Sequence, residues 1–144
     1  MEENENINVL DELNKGATMG MDAIKFVLSS CEDEKFKKEL EEELKGYEEI
    51  SKRANKLYAN YSSDDAHETS IVNKMMTWYG IKMKTMTDKS NSKIAELMLQ
   101  GTNMGIIEGR KLLNSKEMDK DVHKLMQEFV TMQEKNVEIL KMYL

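Results

Sequence analysis

No proline interrupts this chain of 144 residues. Proline lacks the backbone N–H and clashes with the preceding turn, so its absence permits long, uninterrupted helices. Cysteine is nearly absent as well. Cys31 is alone, which excludes an internal disulfide framework and points to a reducing compartment. Aromatics make up only 6% of the chain, few for the core of a sandwich or barrel. Histidine occurs twice, as His67 and His123, and neither has a second His or Cys at ligand spacing. Two isolated histidines make no credible Ser–His–Asp arrangement. No apolar run approaches the roughly 18 residues of a membrane span. The opening residues, Met1 to Asn6, are acidic and polar, the reverse of a signal peptide. A cytoplasmic protein, not membrane-bound, is the expectation.

Charge is abundant by contrast, at 33% of residues, with a net value of −6. An acidic balance argues against nonspecific nucleic-acid binding, which needs basic surface to neutralise phosphates. Residues 69–93 alone run the other way, with five lysines against Asp88, and read as the solvated face of one helix. Thirteen methionines are many. They are spread along helical stripes rather than clustered, so they read as core filling more readily than as thioether metal ligands.

Apolar residues recur by threes and fours. Ile7, Leu10, Ala17, Met21, Ile24 and Leu28 mark a helix over 7–30, with Asn14 filling a gap in the stripe. A short break at 29–33 leads to a second helix, to about Tyr61, whose stripe is Leu40, Leu44, Tyr47, Ser51, Ala54 and Tyr58. So short a break makes an antiparallel hairpin. A shorter helix over about 70–87 is apolar on a broad front, with Met75, Trp78, Tyr79 and Met83. Its outward side is the expected interaction patch, one that suits a second copy of the chain and hence a homodimer. A fourth helix spans about 92–114. Asn114-x-x-Glu117 has the form of a capping box and predicts a fifth helix running to the C-terminus. One domain over 1–144 therefore holds a hairpin (7–61), a crossover helix and a second hairpin (92–144).

The two hairpins share a repeat at a gapless offset of 85. Gly16-x-x-Met19-Gly20 recurs as Gly101-x-x-Met104-Gly105, and twelve identities fall within positions 9–59. Glycine inside a helix costs about 1 kcal/mol relative to alanine. Gly16 and Gly20, with Gly101, Gly105 and Gly109 at four-residue spacing, therefore call for compensation. Close approach of helices 1 and 4 beside a pseudo-twofold axis is the expected source. A ligand lying over the stripe is the alternative.

The segments Asn8-Val9-Leu10-Asp11-Glu12-Leu13-Asn14-Lys15-Gly16, Met76-Thr77-Trp78-Tyr79-Gly80 and Gly101-Thr102-Asn103-Met104-Gly105 carry a resemblance to the ferritin-like superfamily. More closely, the chain resembles small uncharacterised bacterial four-helix bundles within it. The resemblance implies an all-α bundle of two hairpins. In metal-binding members it also implies a Glu on two helices and Glu-x-x-His on the other two. The histidines have no counterpart here: helix 2 offers Glu48-x-x-Ser51, and the repeat sets Gln133-x-x-Asn136 opposite. The expectation is therefore a non-enzymatic interaction or structural module without a cofactor. Ser51 and Asn136 are expected to be buried polar residues bonded to each other or to water in the former metal position. A carboxylate-rich iron or zinc site using Glu48, Glu108 and Glu134 is the alternative.

Overall fold

The computed structural model describes residues 2–62 and 74–144, all helix and connecting turns with no strand among them. The helices are α1 (Glu2–Leu28), α2 (Glu34–Tyr58), α3 (Lys74–Lys84), α4 (Asn91–Ser115) and α5 (Lys120–Lys141). The side chains of Met75 and Trp78, and His67 as a whole, lie outside the described residues. No described helix is long and apolar enough to cross a membrane.

Polar contacts at the helix ends fix the direction of each rod. The backbone N–H groups of Glu117 and Asp119 donate to Glu5 at 3.2 Å and Asn6 at 2.8 Å, so the start of α1 meets the α4–α5 junction. The Tyr61 hydroxyl donates to Asp119, which brings the end of α2 to the same place. At the other end Asn91 donates to Asp33 at 3.1 Å, and the Phe36 ring stacks on Tyr143 with centroids 4.1 Å apart. Hence α1 and α5 run one way and α2 and α4 the other. The order is up-down-down-up, and the link from α2 to α4 spans the bundle length, about 37 Å for a 25-residue helix. The hairpin partners α1–α2 and α4–α5 share the main interfaces, with α1–α4 and α2–α5 completing the bundle and α3 lying against α4.

Two local expectations are corrected. Asn114 and Glu117 do not form a capping box: α4 continues through Ser115, and α5 begins at Lys120 behind Asp119. The Glu117 N–H that such a box would have used is spent on Glu5. The gapless register also fails in the second half of each hairpin. Buried Val9, Leu10, Leu13, Ala17 and Ile24 of α1 correspond at an offset of 85 to buried Ile94, Ala95, Met98, Thr102 and Gly109 of α4. The buried stripe of α2 (Phe36, Leu40, Glu43, Tyr47, Ile50, Ala54) matches that of α5 (Val122, Met126, Phe129, Gln133, Asn136, Leu140) only at 86. Asp33 and Asp119, which precede the two helices, obey the same offset. One extra residue between Gly109 and Asp119 makes the difference.

On a helix, one residue of slip is a rotation of about 100°. Ser51 is therefore not the counterpart of Asn136, and the two do not bond. Ser51 is half-buried and donates to Asn14 Oδ1 of α1 at 2.6 Å. Asn136 is buried on α5, with its Nδ2 unpartnered.

Candidate functional site

The glycine stripes of α1 and α4 do not press together. Each glycine instead faces a side chain from another helix. A Cβ on Gly20 would stand 2.7 Å from the Tyr47 ring of α2. One on Gly105 would meet the Gln133 amide of α5, and one on Gly16 the Phe129 ring at 3.2 Å. Gly101 accommodates the Tyr79 hydroxyl of α3, whose oxygen would lie 2.6 Å from an added Cβ, and Gly109 accommodates Val130. The expected α1–α4 backbone contact is thereby corrected. Each helix loses side-chain bulk to admit a third helix's ring or amide, and a groove remains between α1 and α4.

That groove has a volume of about 520 Å³. All five of these glycines line it, with Met19 and Ala23 from α1 and Met98 and Met104 from α4. Its buried side carries Tyr47, Phe129 and Gln133, joined by Tyr79 and Thr102. Its charged residues form two pairs: Lys15 lies 3.4 Å from Glu12 and Lys111 lies 3.8 Å from Glu108.

The polar groups within are short of partners. Gln133 is 2% exposed and Tyr79 5%, yet Gln133 Oε1 and the Tyr79 hydroxyl have none. Buried polar groups are ordinarily hydrogen-bonded, so each such orphan calls for an explanation. Burial pushes the Tyr79 hydroxyl far above its ordinary value, with the Tyr47 phenol adding to the rise. Burial raises Tyr47 too, with the neighbouring Gln133 amide offsetting part of the rise. Both phenols therefore stay protonated at neutral pH. Thr102 Oγ1 donates to the Met98 carbonyl at 2.7 Å.

Beyond the groove, one turn before Tyr47, lies Glu43. It is 3% exposed, and neither carboxyl oxygen has a partner. Burial, reinforced by the charge of Glu39, lifts it to about 8, so it is mostly protonated at pH 7. Glu43 is the residue that the sequence reading passes over. The alternation Phe36, Leu40, Glu43, Tyr47, Ile50 was its signal, but Leu44 satisfies helical spacing as well.

The remaining expected site residues fall elsewhere. Glu48 is exposed, Glu108 pairs with Lys111, and Glu134 pairs with Arg110 at 3.3 Å. The structure does not bring the three together, and among the described residues no group of three His, Cys, Asp or Glu side chains is placed to hold a metal. His123 is exposed. The interaction patch is corrected for Tyr79 and Met83. Both are buried, because these residues, one turn apart, form the inner face of α3, while Ile81 points outward at 57% exposure. Cys31 is buried, and burial pushes its thiol up. No family model, curated protein or solved structure matches the chain.

Proposed function

We propose that this chain is a non-enzymatic binding module on a ferritin-like bundle, and that it receives a small molecule in the groove between α1 and α4. An up-down-down-up order with one long crossover is the connectivity of that bundle class, which supports the frame. Corresponding buried faces at offsets of 85 and 86 support two copies of one hairpin, one of them carrying an insertion. The function rests on a single observation: a groove of about 520 Å³, mostly apolar, whose wall includes a few buried polar residues, Tyr47, Tyr79, Thr102 and Gln133. Sites for small ligands have this size and this balance of apolar wall to polar anchor.

The test is a fragment screen read by amide chemical shifts. Ligands are expected to move the signals of Gly16, Gly20, Gly101 and Gly105 together. Ala23→Trp, which fills the groove from α1, is expected to abolish those shifts while the protein stays folded. If no fragment perturbs these glycines, or if Ala23→Trp leaves the shifts intact, the proposal fails.

A further inference from the structure

Building on the groove reading, we infer that its occupant is a free fatty acid, a single alkyl chain lying along the groove with its carboxylate beside Lys15 and its tail towards α3. The groove is polarised along its length. The charged residues of its lining are Glu12 and Lys15 on α1 and Glu108 and Lys111 on α4. Because α1 and α4 run in opposite directions, all four fall at one end, the end nearer the α4–α5 junction. Beyond them the walls carry no charge among the described residues: Met19 and Ala23 of α1 face Met98 and Met104 of α4, with glycines and Thr102 between. Tyr79 of α3 stands at that far end, over Gly101. From Lys15 to Ala23 on one wall, and from Ile107 to Met98 on the other, the uncharged stretch runs about 12–14 Å at 1.5 Å per residue. With carbon–carbon bonds of about 1.5 Å, roughly ten carbons in an extended zigzag cover it. Flexible methionines on both walls suit a flexible chain.

The head group follows from the charge set deepest at the polar end. The Lys15 side chain is only 14% exposed, whereas those of Glu12, Glu108 and Lys111 are each at least half exposed. The Lys15–Glu12 contact, at 3.4 Å between neighbours on one helix, is of a kind that contributes little. An ammonium has three N–H donors, so Lys15 can keep that contact and take a ligand carboxylate as well. A cationic head would meet the Lys15 charge, and a neutral one would forgo the gain of a charge-assisted hydrogen bond.

The test titrates hexanoate, octanoate, decanoate, 1-decanol and decyltrimethylammonium into the full chain at pH 7, read by calorimetry and amide shifts. Affinity is expected to rise up to about fourfold per methylene along the acids. Hexanoate is expected to move the signals of Gly16 and Gly109, beside the head, and decanoate to move Gly20 and Gly101 as well. Decanoate is expected to bind roughly tenfold more tightly than 1-decanol or decyltrimethylammonium, and to lose most of that margin in Lys15→Met while the glycine shifts persist. If Lys15→Met unfolds, the comparison of head groups on the wild type decides alone. Equal binding of the alcohol or the ammonium, a margin that survives Lys15→Met, or hexanoate moving Gly101 as strongly as Gly16 overturns this inference and leaves the groove reading standing. So does an absence of glycine shifts with every alkyl compound while the fragment screen still produces them. Absence of shifts in both experiments overturns the two together.

Discussion

In the first hairpin, Gly20 lets the Tyr47 ring lie against α1; in the second, Gly105 lets the Gln133 amide lie against α4. The glycines correspond at an offset of 85 and their partners at 86, so the same cradle holds a phenol in one half and an amide in the other. One turn earlier the halves part. Gly16 meets Phe129, but Gly101 does not meet Glu43, which stands in the corresponding place on α2. Tyr79 from the crossover helix occupies that position instead. A carboxyl where the other half has a ring leaves Gly101 to α3, and the symmetry of the frame is broken at the groove. The bundle thus keeps its glycines in both halves and differs in what they admit.

The sharpest test of this asymmetry is the pH dependence of stability. Glu43 holds its proton in the folded state up to about pH 8, whereas its ordinary value is 4.5. Between those values the folded chain binds the extra proton, so the Glu43 contribution makes stability fall as pH rises through this window and level off above it. The full effect is at most about 4–5 kcal/mol, at 1.36 kcal/mol per unit. Chemical denaturation from pH 4.5 to 8.5 is expected to show this slope in the wild type and to lose most of it in Glu43→Gln. Glu128→Gln is expected to keep it, because Glu128 is only half-buried and paired with Arg53. A slope that survives Glu43→Gln places the titrating group elsewhere.

The two cradles are also expected to respond unequally to one methyl group. Gly20→Ala sets a Cβ 2.7 Å from a ring that is fully enclosed, and overpacking of this kind costs about 1–3 kcal/mol. The gain in helix propensity, about 1 kcal/mol, offsets only part of that. A net loss of roughly 1–2 kcal/mol follows for Gly20→Ala in thermal or urea melts. Gly105→Ala meets the far end of the flexible Gln133 side chain, which lines the groove and can shift, so its loss is expected to be smaller. Equal losses at the two sites would mean that Gln133 is as firmly held as Tyr47. Gly80, with nothing within 4 Å of an added Cβ, is the control: Gly80→Ala is expected to stabilise by up to about 1 kcal/mol.

Much of the frame was legible in the sequence because helical periodicity and short breaks are local signals. The five helices, both hairpins and the crossover follow from them, with boundaries a few residues off. The site was less legible for a physical reason. A glycine announces that a side chain is missing but not which neighbour uses the room, and the neighbours here arrive from α2, α3 and α5. Glu43 is hidden because charge ordinarily marks the wet face, so Leu44 looks like the inward residue. Ser51 and Asn136 were paired by a register that one residue in the second connection displaces. Tyr79 and Met83 looked like an outward patch because α3 is apolar on more than one side, and only packing against α4 shows which side turns in.

The helix starts offer the finest comparison. Asp33 and Asp119 occupy corresponding N-cap positions, yet only Asp33 accepts a helix N–H, from Phe36 at 2.9 Å. The Asp119 carboxylate is turned instead to the Tyr61 hydroxyl, joining α5 to the end of α2. Asp33 thus acts both within its own helix and, through Asn91, between the hairpins, whereas the Asp119 carboxylate acts between them without capping α5. Asp33→Ala is expected to lower Tm by the same amount whether residue 61 is tyrosine or phenylalanine, since its partners, the Phe36 N–H and Asn91, lie at the opposite end of the bundle from Tyr61. Asp119→Ala is expected to lower it only while Tyr61 is present, because its measurable partner is that hydroxyl. A double-mutant cycle on Asp119 and Tyr61 reads the coupling directly. Additive losses in that cycle would return Asp119 to the role of an ordinary cap and make the two helix starts alike.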